Sequence, residues 1–115
     1  AKEVIYMATL GGAKSIFLDD KIGSLESGKH ADLILVDINN LHNLPRFRHN
    51  PDWLYGQLVY AAKSTDVTDV MCNGKWLMRN RKLQTIDEKP LLEEAQSKAA
   101  KIDAFVRELN TQKNK

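Results

Sequence analysis

Apolar side chains recur at helical spacing at both ends of the chain. Residues 1–18 have this pattern and predict a first helix. Residues 87–115 predict a long amphipathic helix with a frayed tail. Its apolar stripe follows a 3-4-3-4-3 spacing at Leu92, Ala95, Ala99, Ile102, Val106 and Leu109. The stripe suits a coiled-coil partner or the helix's own protein, and its two alanines favour the second.

Shorter apolar runs between the helices predict strands. Residues 22–25 and 33–36 predict a pair joined by a glycine turn, the second being an apolar strand interior to a sheet. Asn73-Gly74 divides the apolar residues 67–78, which predicts a hairpin because this dipeptide adopts the positive φ angles of a type I′ turn. Residues 83–86 predict one more short strand.

A polar stretch separates the two predicted strand pairs. Residues 39–51 are rich in asparagine, histidine and proline, which indicates a loop. Asp52 follows as a candidate N-cap for a short helix that ends near residue 62. The pattern as a whole predicts an α+β fold, in which residues 19–86 form a small sheet with a loop and short helix inserted at 39–62.

The spacing of Gly23, Gly28 and Lys29 matches part of a phosphate-binding loop. His30 stands where that loop needs Ser or Thr to hold magnesium. The loop also needs a strand before it and a helix after it, whereas here a helix precedes and an apolar run follows. We therefore interpret the glycines as two turns and exclude a nucleotide site.

Composition excludes several classes of protein. The 115 residues, 43% hydrophobic and 28% charged, fit one globular domain. A net charge of +2 does not indicate a nucleic-acid partner. The apolar runs are shorter than the about 20 residues of a membrane helix. The single cysteine, Cys72, excludes an internal disulfide and suits the cytoplasm, and its strand context predicts a buried, inert thiol.

The residues that carry chemistry are scattered. His30, His42 and His49 are isolated in turns or loops, so we assign none of them as a metal ligand. Ser24 and Ser27 belong to turns and lack a nucleophile elbow. A small basic patch beside Trp76 is interpreted as a surface hairpin end and contains Arg79, Arg81 and Lys82. The sequence therefore predicts no catalytic, cofactor-binding or metal-binding residue.

Four segments together resemble the C-terminal region of metal-dependent amidohydrolases. They are, in order, MATLGGAK at 7–14, LDDKIGSLESGKHADLILVD at 18–37, LVYAA at 58–62 and DVTDVMCNGK at 66–75. The branch resembled contains cytosine, guanine and S-adenosylhomocysteine/methylthioadenosine deaminases and the triazine chlorohydrolases. Each segment is weak alone, but their order and spacing make the combination specific. Phe17 departs from the family, which often has glycine there, and this suggests altered packing at the helix end.

The resemblance implies an architecture for the parent protein. In that family a TIM barrel carries the metal, and a small composite β-sandwich is built from both chain ends that flank the barrel. Residues 1–18 would be the last barrel helix, residues 19–86 the C-terminal half of the sandwich, and residues 87–115 a C-terminal helix and tail. The family's metal ligands lie on barrel strands upstream, so none is carried over to this sequence.

The resemblance also implies a reaction for the parent. A zinc or iron ion activates water for hydrolysis of a non-peptide C–N bond in a purine- or pyrimidine-like ring, or for dechlorination. The chain starts within a helix, without an initiator Met or N-cap residue, so we expect a piece of a longer protein, inactive and metal-free alone. Its partners would be the remaining barrel and further copies of itself. The alternative is a stand-alone, non-catalytic module that binds itself or a partner.

Overall fold

The computed structural model describes residues 1–47 and 49–113. They form two compact units, Ala1–Gln84 and the described part of Thr85–Lys115. The first unit contains two helices and a four-stranded antiparallel sheet. The second contains one long helix. The predicted α+β class is confirmed.

The first helix, α1, changes its winding in the middle. It is α-helical over Lys2–Tyr6, π-helical over Met7–Gly11 and α-helical again over Gly12–Ser15. The π turn brings a preceding carbonyl close, since a Cβ added at Gly11 would lie 3.0 Å from the Tyr6 oxygen. Gly11 and Gly12 therefore fit closely against the carbonyl oxygens of the helix's own preceding turn.

The C-terminus of α1 explains the unusual phenylalanine. The Leu18 amide donates to the Ala13 carbonyl at 3.0 Å, and the Phe17 amide donates to the Lys14 carbonyl at 3.1 Å. This Schellman pattern places Phe17 in the left-handed region, with φ of 58°. Glycine is the residue that this position favours, because it has no Cβ to clash.

Replacing Phe17 by glycine should stabilise the chain. The ring is 89% exposed, so its removal gives up little burial. Relief of the left-handed strain should raise the free energy of unfolding by about 0.5–1 kcal/mol, measured by urea denaturation. F17A keeps the Cβ and serves as control. An equal gain from F17A would show that the ring, and not the backbone, carries the strain.

The sheet has the order β1-β2-β3-β4. The strands are Leu33–Val36, Val67–Cys72, Lys75–Arg79 and Lys82–Leu83. Strand β1 pairs with β2 through Leu33–Met71 and Ile34–Val70, with a register shift before Val36. The Asn73-Gly74 turn between β2 and β3 has φ angles of 48° and 74°, which confirms the predicted hairpin.

Three strand predictions need correction. Residues 22–25 form bends and irregular chain instead of a strand, because the Ile22 amide donates back to the Leu18 carbonyl at 2.9 Å. The predicted interior strand, β1, is an edge of the described sheet, and Ile34 and Leu35 are about half exposed. Strand β4 comprises Lys82–Leu83 rather than residues 83–86.

A segment of turns and one helix connects β1 to β2. A 3₁₀ turn occupies Leu41–Asn43, and α2 is α-helical over Trp53–Gly56 and π-helical over Gln57–Ala61. A second 3₁₀ turn, Ser64–Asp66, leads into β2. The loop and short helix thus lie where the sequence predicted them.

The third helix, α3, extends over Glu88–Lys113. The residues 111–113, predicted to be frayed, continue the helix, while 114–115 lie outside the described residues. Its apolar stripe is exposed, with Ile102 at 64% and Leu92 at 68%. Ion pairs at i,i+4 join Glu94 to Lys98 and Asp103 to Arg107. None of the described helices is long and apolar enough to cross a bilayer.

The interior of the first unit is mostly polar. Among the described hydrophobic residues only Ala13 is buried, at 4% exposure, whereas Asn43, Asp66 and Asp69 are all buried. Many large apolar side chains of this unit are exposed, including Phe17 at 89% and Leu41 at 85%. Hydrogen bonding, more than apolar packing, therefore defines the best-buried part of the chain.

Candidate functional site

Asp66 is the centre of a buried polar cluster in the described chain. It ends the Ser64–Asp66 turn, immediately before β2, and is 2% exposed. The turn itself fixes the carboxylate, since the Lys63 amide donates to Oδ2 at 2.9 Å. The Asp37 amide also donates to the Asp66 carbonyl at 2.8 Å. Asp66 thus joins the end of β1 to the start of β2.

Three side chains from the turn after β1 donate to the same carboxylate. Asn40 Nδ2 lies 2.9 Å from Oδ1, and Asn43 Nδ2 lies 3.0 Å from Oδ2. His42 Nε2 lies 2.7 Å from Oδ2. An ionised carboxylate is stabilised by every donor that points at it. The hydrogen bond from His42 is the largest cause that lowers the pKa of Asp66 to about 2, followed by that from the Lys63 amide.

The charge on Asp66 fixes the orientation of its neighbours. Because an ionised carboxylate only accepts hydrogen bonds, Asn43 must present its Nδ2 to it. The Asn43 Oδ1 then faces the other way and accepts from Gln57 Nε2 at 3.0 Å. Within the described residues Gln57 Oε1 accepts no hydrogen bond, and the second hydrogen on Nε2 remains available as a donor. A relay of defined polarity therefore runs from Asp66 through Asn43 to α2.

His42 is oriented by the same rule. Its Nε2 must carry the hydrogen that Asp66 accepts, so in the neutral ring Nδ1 is an acceptor. Its side chain is 30% exposed, and among the described residues Nδ1 has no hydrogen-bond partner. A buried carboxylate that orients a partly exposed imidazole is an arrangement used in binding and proton-transfer sites.

An open pocket of about 340 Å³ adjoins this cluster. His42 and Gln57 both line it, together with the aromatic rings of Phe47 and Trp53. Its remaining wall consists of Leu44, Pro45, Asn50, Gly56 and Ala61. Aromatic walls with a few oriented polar groups are typical of small-molecule sites. We define these residues as the His42 pocket.

The stability of the cluster should depend on pH. The pKa of Asp66 is lowered from 3.8 to about 2, so its stabilising contribution is complete above pH about 4. That contribution should be lost as pH falls from about 4 to about 2. Glu26, Asp32 and Asp69 also have lowered pKa values and act in the same direction. Urea unfolding across this range should show a steeper loss for the parent chain than for D66N; equal slopes would contradict this role.

The other two histidines do not join the cluster. The His30 backbone amide donates to the Lys21 carbonyl at 2.8 Å. His49 lies edge-on to Phe47, with ring centroids 6.2 Å apart. Within the described residues, no three His, Cys, Asp or Glu side chains lie close enough to hold a metal ion. The described part of the chain therefore does not fit a metal centre.

The cysteine differs from its prediction in burial. Cys72 ends β2 and is exposed rather than buried. Its hydrogen bond with Asp32 is the largest cause that raises the pKa of the thiol. The pKa of Asp32 is lowered mainly by the Asn73 backbone amide, 2.8 Å from Oδ1. A raised pKa disfavours the thiolate, so an exposed position does not make this thiol a good nucleophile.

The glycine–lysine segment has a structural arrangement of its own. Lys29 Nζ donates to Ser24 Oγ at 2.6 Å and lies 3.5 Å from Glu26 Oε1. The hydrogen bond from Ser24 is the first cause that lowers the pKa of Glu26. Strand β1, and not a helix, follows the lysine. The segment therefore lacks the helix terminus that a phosphate loop requires.

The basic patch is a feature of the β3–β4 hairpin. The Arg79 guanidinium lies 5.3 Å from the centroid of the Trp76 ring, an ordinary cation–π distance. The Arg81 amide donates to the Thr68 carbonyl at 2.8 Å, which ties the turn to β2. The basic patch is therefore part of a packed hairpin end.

Asp66, Asn43 and Gln57 are site residues that the sequence pattern does not predict. Asp66 lies 24 positions from His42 and 23 from Asn43, so no short spacing connects them. The signal that the sequence does offer is the group of asparagines around His42, at positions 39, 40 and 43. Only the pairing of β1 with β2 brings this turn to Asp66.

Comparison with known proteins gives a consistent result. The amidohydrolase family model matches residues 1–77. The chain is 38% identical over 102 residues to a 5-methylthioadenosine/S-adenosylhomocysteine deaminase of Thermoanaerobacter pseudethanolicus, covering 89% of this chain and 22% of that protein. It is 39% identical over 95 residues to a 5'-deoxyadenosine deaminase of Methanobrevibacter smithii, covering 83% and 21%.

A solved structure agrees in fold. A crystal structure of an adenosine deaminase from Xanthomonas campestris with bound zinc superposes with a TM-score of 0.71 and 38% identity, covering 87% of this chain and 22% of that one. The chain thus spans about a fifth of the length of the curated relatives that it matches. The order of the four sequence segments, together with the matched fold and the sequence identities, leads to one conclusion. This chain belongs to the amidohydrolase family.

Proposed function

We propose that this chain is the supporting C-terminal portion of a metal-dependent amidohydrolase that deaminates an adenosine-like nucleoside by hydrolysis. The observation that carries the proposal is the identity of 38–39% to proteins named as deaminases of adenosine derivatives. These names favour deamination over dechlorination. The reaction replaces a ring amino group by oxygen and releases ammonia.

The catalytic metal of the proposed enzyme, zinc or iron, would be held outside the described residues, which supply no fitting ligand set. No chemical step is therefore assigned to residues of this chain. In the proposed architecture, residues 1–18 form the last barrel helix, and residues 19–86 contribute the C-terminal half of a composite β-sandwich. Residues 87–115 form the terminal helix and tail.

The exposed apolar surface supports this architecture. Ile34 and Leu35 are 57% and 50% exposed on edge strand β1, and Ile16 is 58% exposed at the end of α1. An open groove of about 480 Å³ lies between α1 and β1. A chain with such a surface gains stability when further strands and helices cover it. We propose that the rest of the enzyme supplies them.

A chimera tests the proposed function. The segment of the Thermoanaerobacter deaminase matched by this chain is replaced with the chain itself, and ammonia release from 5-methylthioadenosine and zinc content are measured. We expect zinc binding and activity within about tenfold of the parent enzyme, since substitution of a non-catalytic part leaves transition-state contacts intact. The 115-residue chain alone should be inactive and metal-free. A folded, zinc-loaded but inactive chimera would contradict the proposal.

The edge strand β1 also supports the alternative of a non-catalytic module that associates with its own copies, because an exposed apolar strand is a ready template for pairing. We also propose that the complete enzyme is cytoplasmic and forms homo-oligomers. Light scattering of the chain distinguishes the two functions. A dimer that persists while the chimera is inactive would favour the module.

A further inference from the structure

Two side chains that line the His42 pocket, those of His42 and Gln57, each carry a hydrogen-bond acceptor that the Asp66 cluster does not use. Asp66 takes the hydrogen on His42 Nε2 at 2.7 Å, which leaves Nδ1 as acceptor in the neutral ring. Asn43 takes one hydrogen of Gln57 Nε2 at 3.0 Å, which leaves Oε1 as acceptor. Both orientations derive from one buried carboxylate, so they do not depend on the ligand.

Acceptor atoms on two of the lining side chains favour a ligand that donates hydrogen bonds. An amino group on a ring has two N–H bonds in one plane and suits this arrangement. The rings of Phe47 and Trp53 line the same pocket and offer faces or edges to a flat ligand. Phe47 is 62% exposed, so a bound ring would cover apolar surface that water now contacts.

We propose that the His42 pocket binds a planar heteroaromatic ring that carries an amino group. The pocket volume of about 340 Å³ lies within the range of small-molecule sites. Binding here involves no metal and none of the proposed catalytic machinery. The pocket is therefore a second site, separate from the reaction that the parent enzyme would perform.

The experiment compares two ligands that differ only in the amino group. The isotope-labelled chain is titrated by NMR with adenosine and with purine riboside, which has the same ring and sugar without the amino group. Saturable shifts should occur at the Trp53 indole, with adenosine bound about tenfold more tightly because purine riboside leaves the acceptors unpaired. The Trp76 indole, on strand β3, is the internal control and should not shift.

Two variants locate the site. F47A should weaken adenosine binding about tenfold, the usual cost of losing an aromatic contact to a base. Y60A removes another ring that is 79% exposed and does not line the pocket, and it should bind like the parent chain. Equal affinity for both ribosides, absence of saturation, or an undiminished affinity of F47A would overturn the proposal. Because the ligand comparison needs no variant and no metal, its outcome is independent of the chimera.

Discussion

Replacing Gly23 by alanine is expected to lower the free energy of unfolding by about 2–4 kcal/mol, enough to unfold a marginal domain. A Cβ at this position would lie 2.8 Å from the Ala13 Cβ and 2.9 Å from the Leu10 Cα. The φ of Gly23 is 90°, which adds about 1 kcal/mol of backbone strain for any other residue. The substitution would force the turn away from α1.

Gly28 provides a matched control for this prediction. Its φ is 92°, yet a Cβ there would meet nothing within 4 Å. G28A should therefore cost only the backbone term of about 1 kcal/mol. Urea denaturation of both variants separates steric overlap from conformational strain. If G23A and G28A lose equal stability, the close approach of the turn to α1 is not important for the fold.

Replacing Asn43 by aspartate should destabilise the chain by about 3 kcal/mol or more, although the side chain keeps its shape. Asn43 is 0% exposed and donates to Asp66 at 3.0 Å. A second carboxylate at this distance would repel the first and would leave Asp66 with one donor fewer. Chemical denaturation at neutral pH measures the loss.

N39D is the matched control, since Asn39 is exposed and its Oδ1 accepts from Arg46 Nη2 at 2.7 Å. A carboxylate at that position still accepts, so stability should change by less than about 0.5 kcal/mol. Mild acid gives a second check: protonation of the new carboxyl would restore a donor to Asp66, and N43D should regain stability. A loss that is independent of pH would show that the charge is not its cause.

The sequence pattern correctly predicted the hairpin turn and the long helix, whose geometry depends on residues that are close together in the sequence. The Asn73-Gly74 turn forms as expected because both residues tolerate positive φ wherever they occur. Helix α3 extends over 26 residues and keeps its apolar spacing from Leu92 to Leu109, and such a long periodic segment needs no distant contact to be recognised. The α+β class follows from these two features.

The corrected elements depend on contacts between distant residues. Residues 22–25 have the composition of a strand, but Gly23 packs against α1, and this packing turns the chain before any strand forms. The apolar run of β1 predicted an interior strand. Nothing in that run indicates that β2 is its only neighbour among the described residues, so the exposure of Ile34 and Leu35 required the structure.

The site was less predictable than the fold. The sequence suggests only one chemical role for His42, that of a metal ligand, and the lack of a second ligand nearby in sequence argues against it. Its actual partner, Asp66, is an acidic residue in an unremarkable turn before a strand. Family resemblance identified the class of protein, but it did not indicate which polar side chains of this portion are buried together.

The relay from Asp66 to Gln57 has an evolutionary consequence. The charge on Asp66 sets the orientation of the Asn43 amide, and Asn43 in turn sets the orientation of the Gln57 amide, which lies on α2. A neutral residue at position 66 would free Asn43 to rotate and would reverse what Gln57 displays, although position 57 itself is unchanged. Positions 43, 57 and 66 should therefore covary among descendants of this chain, as a unit inherited or lost together.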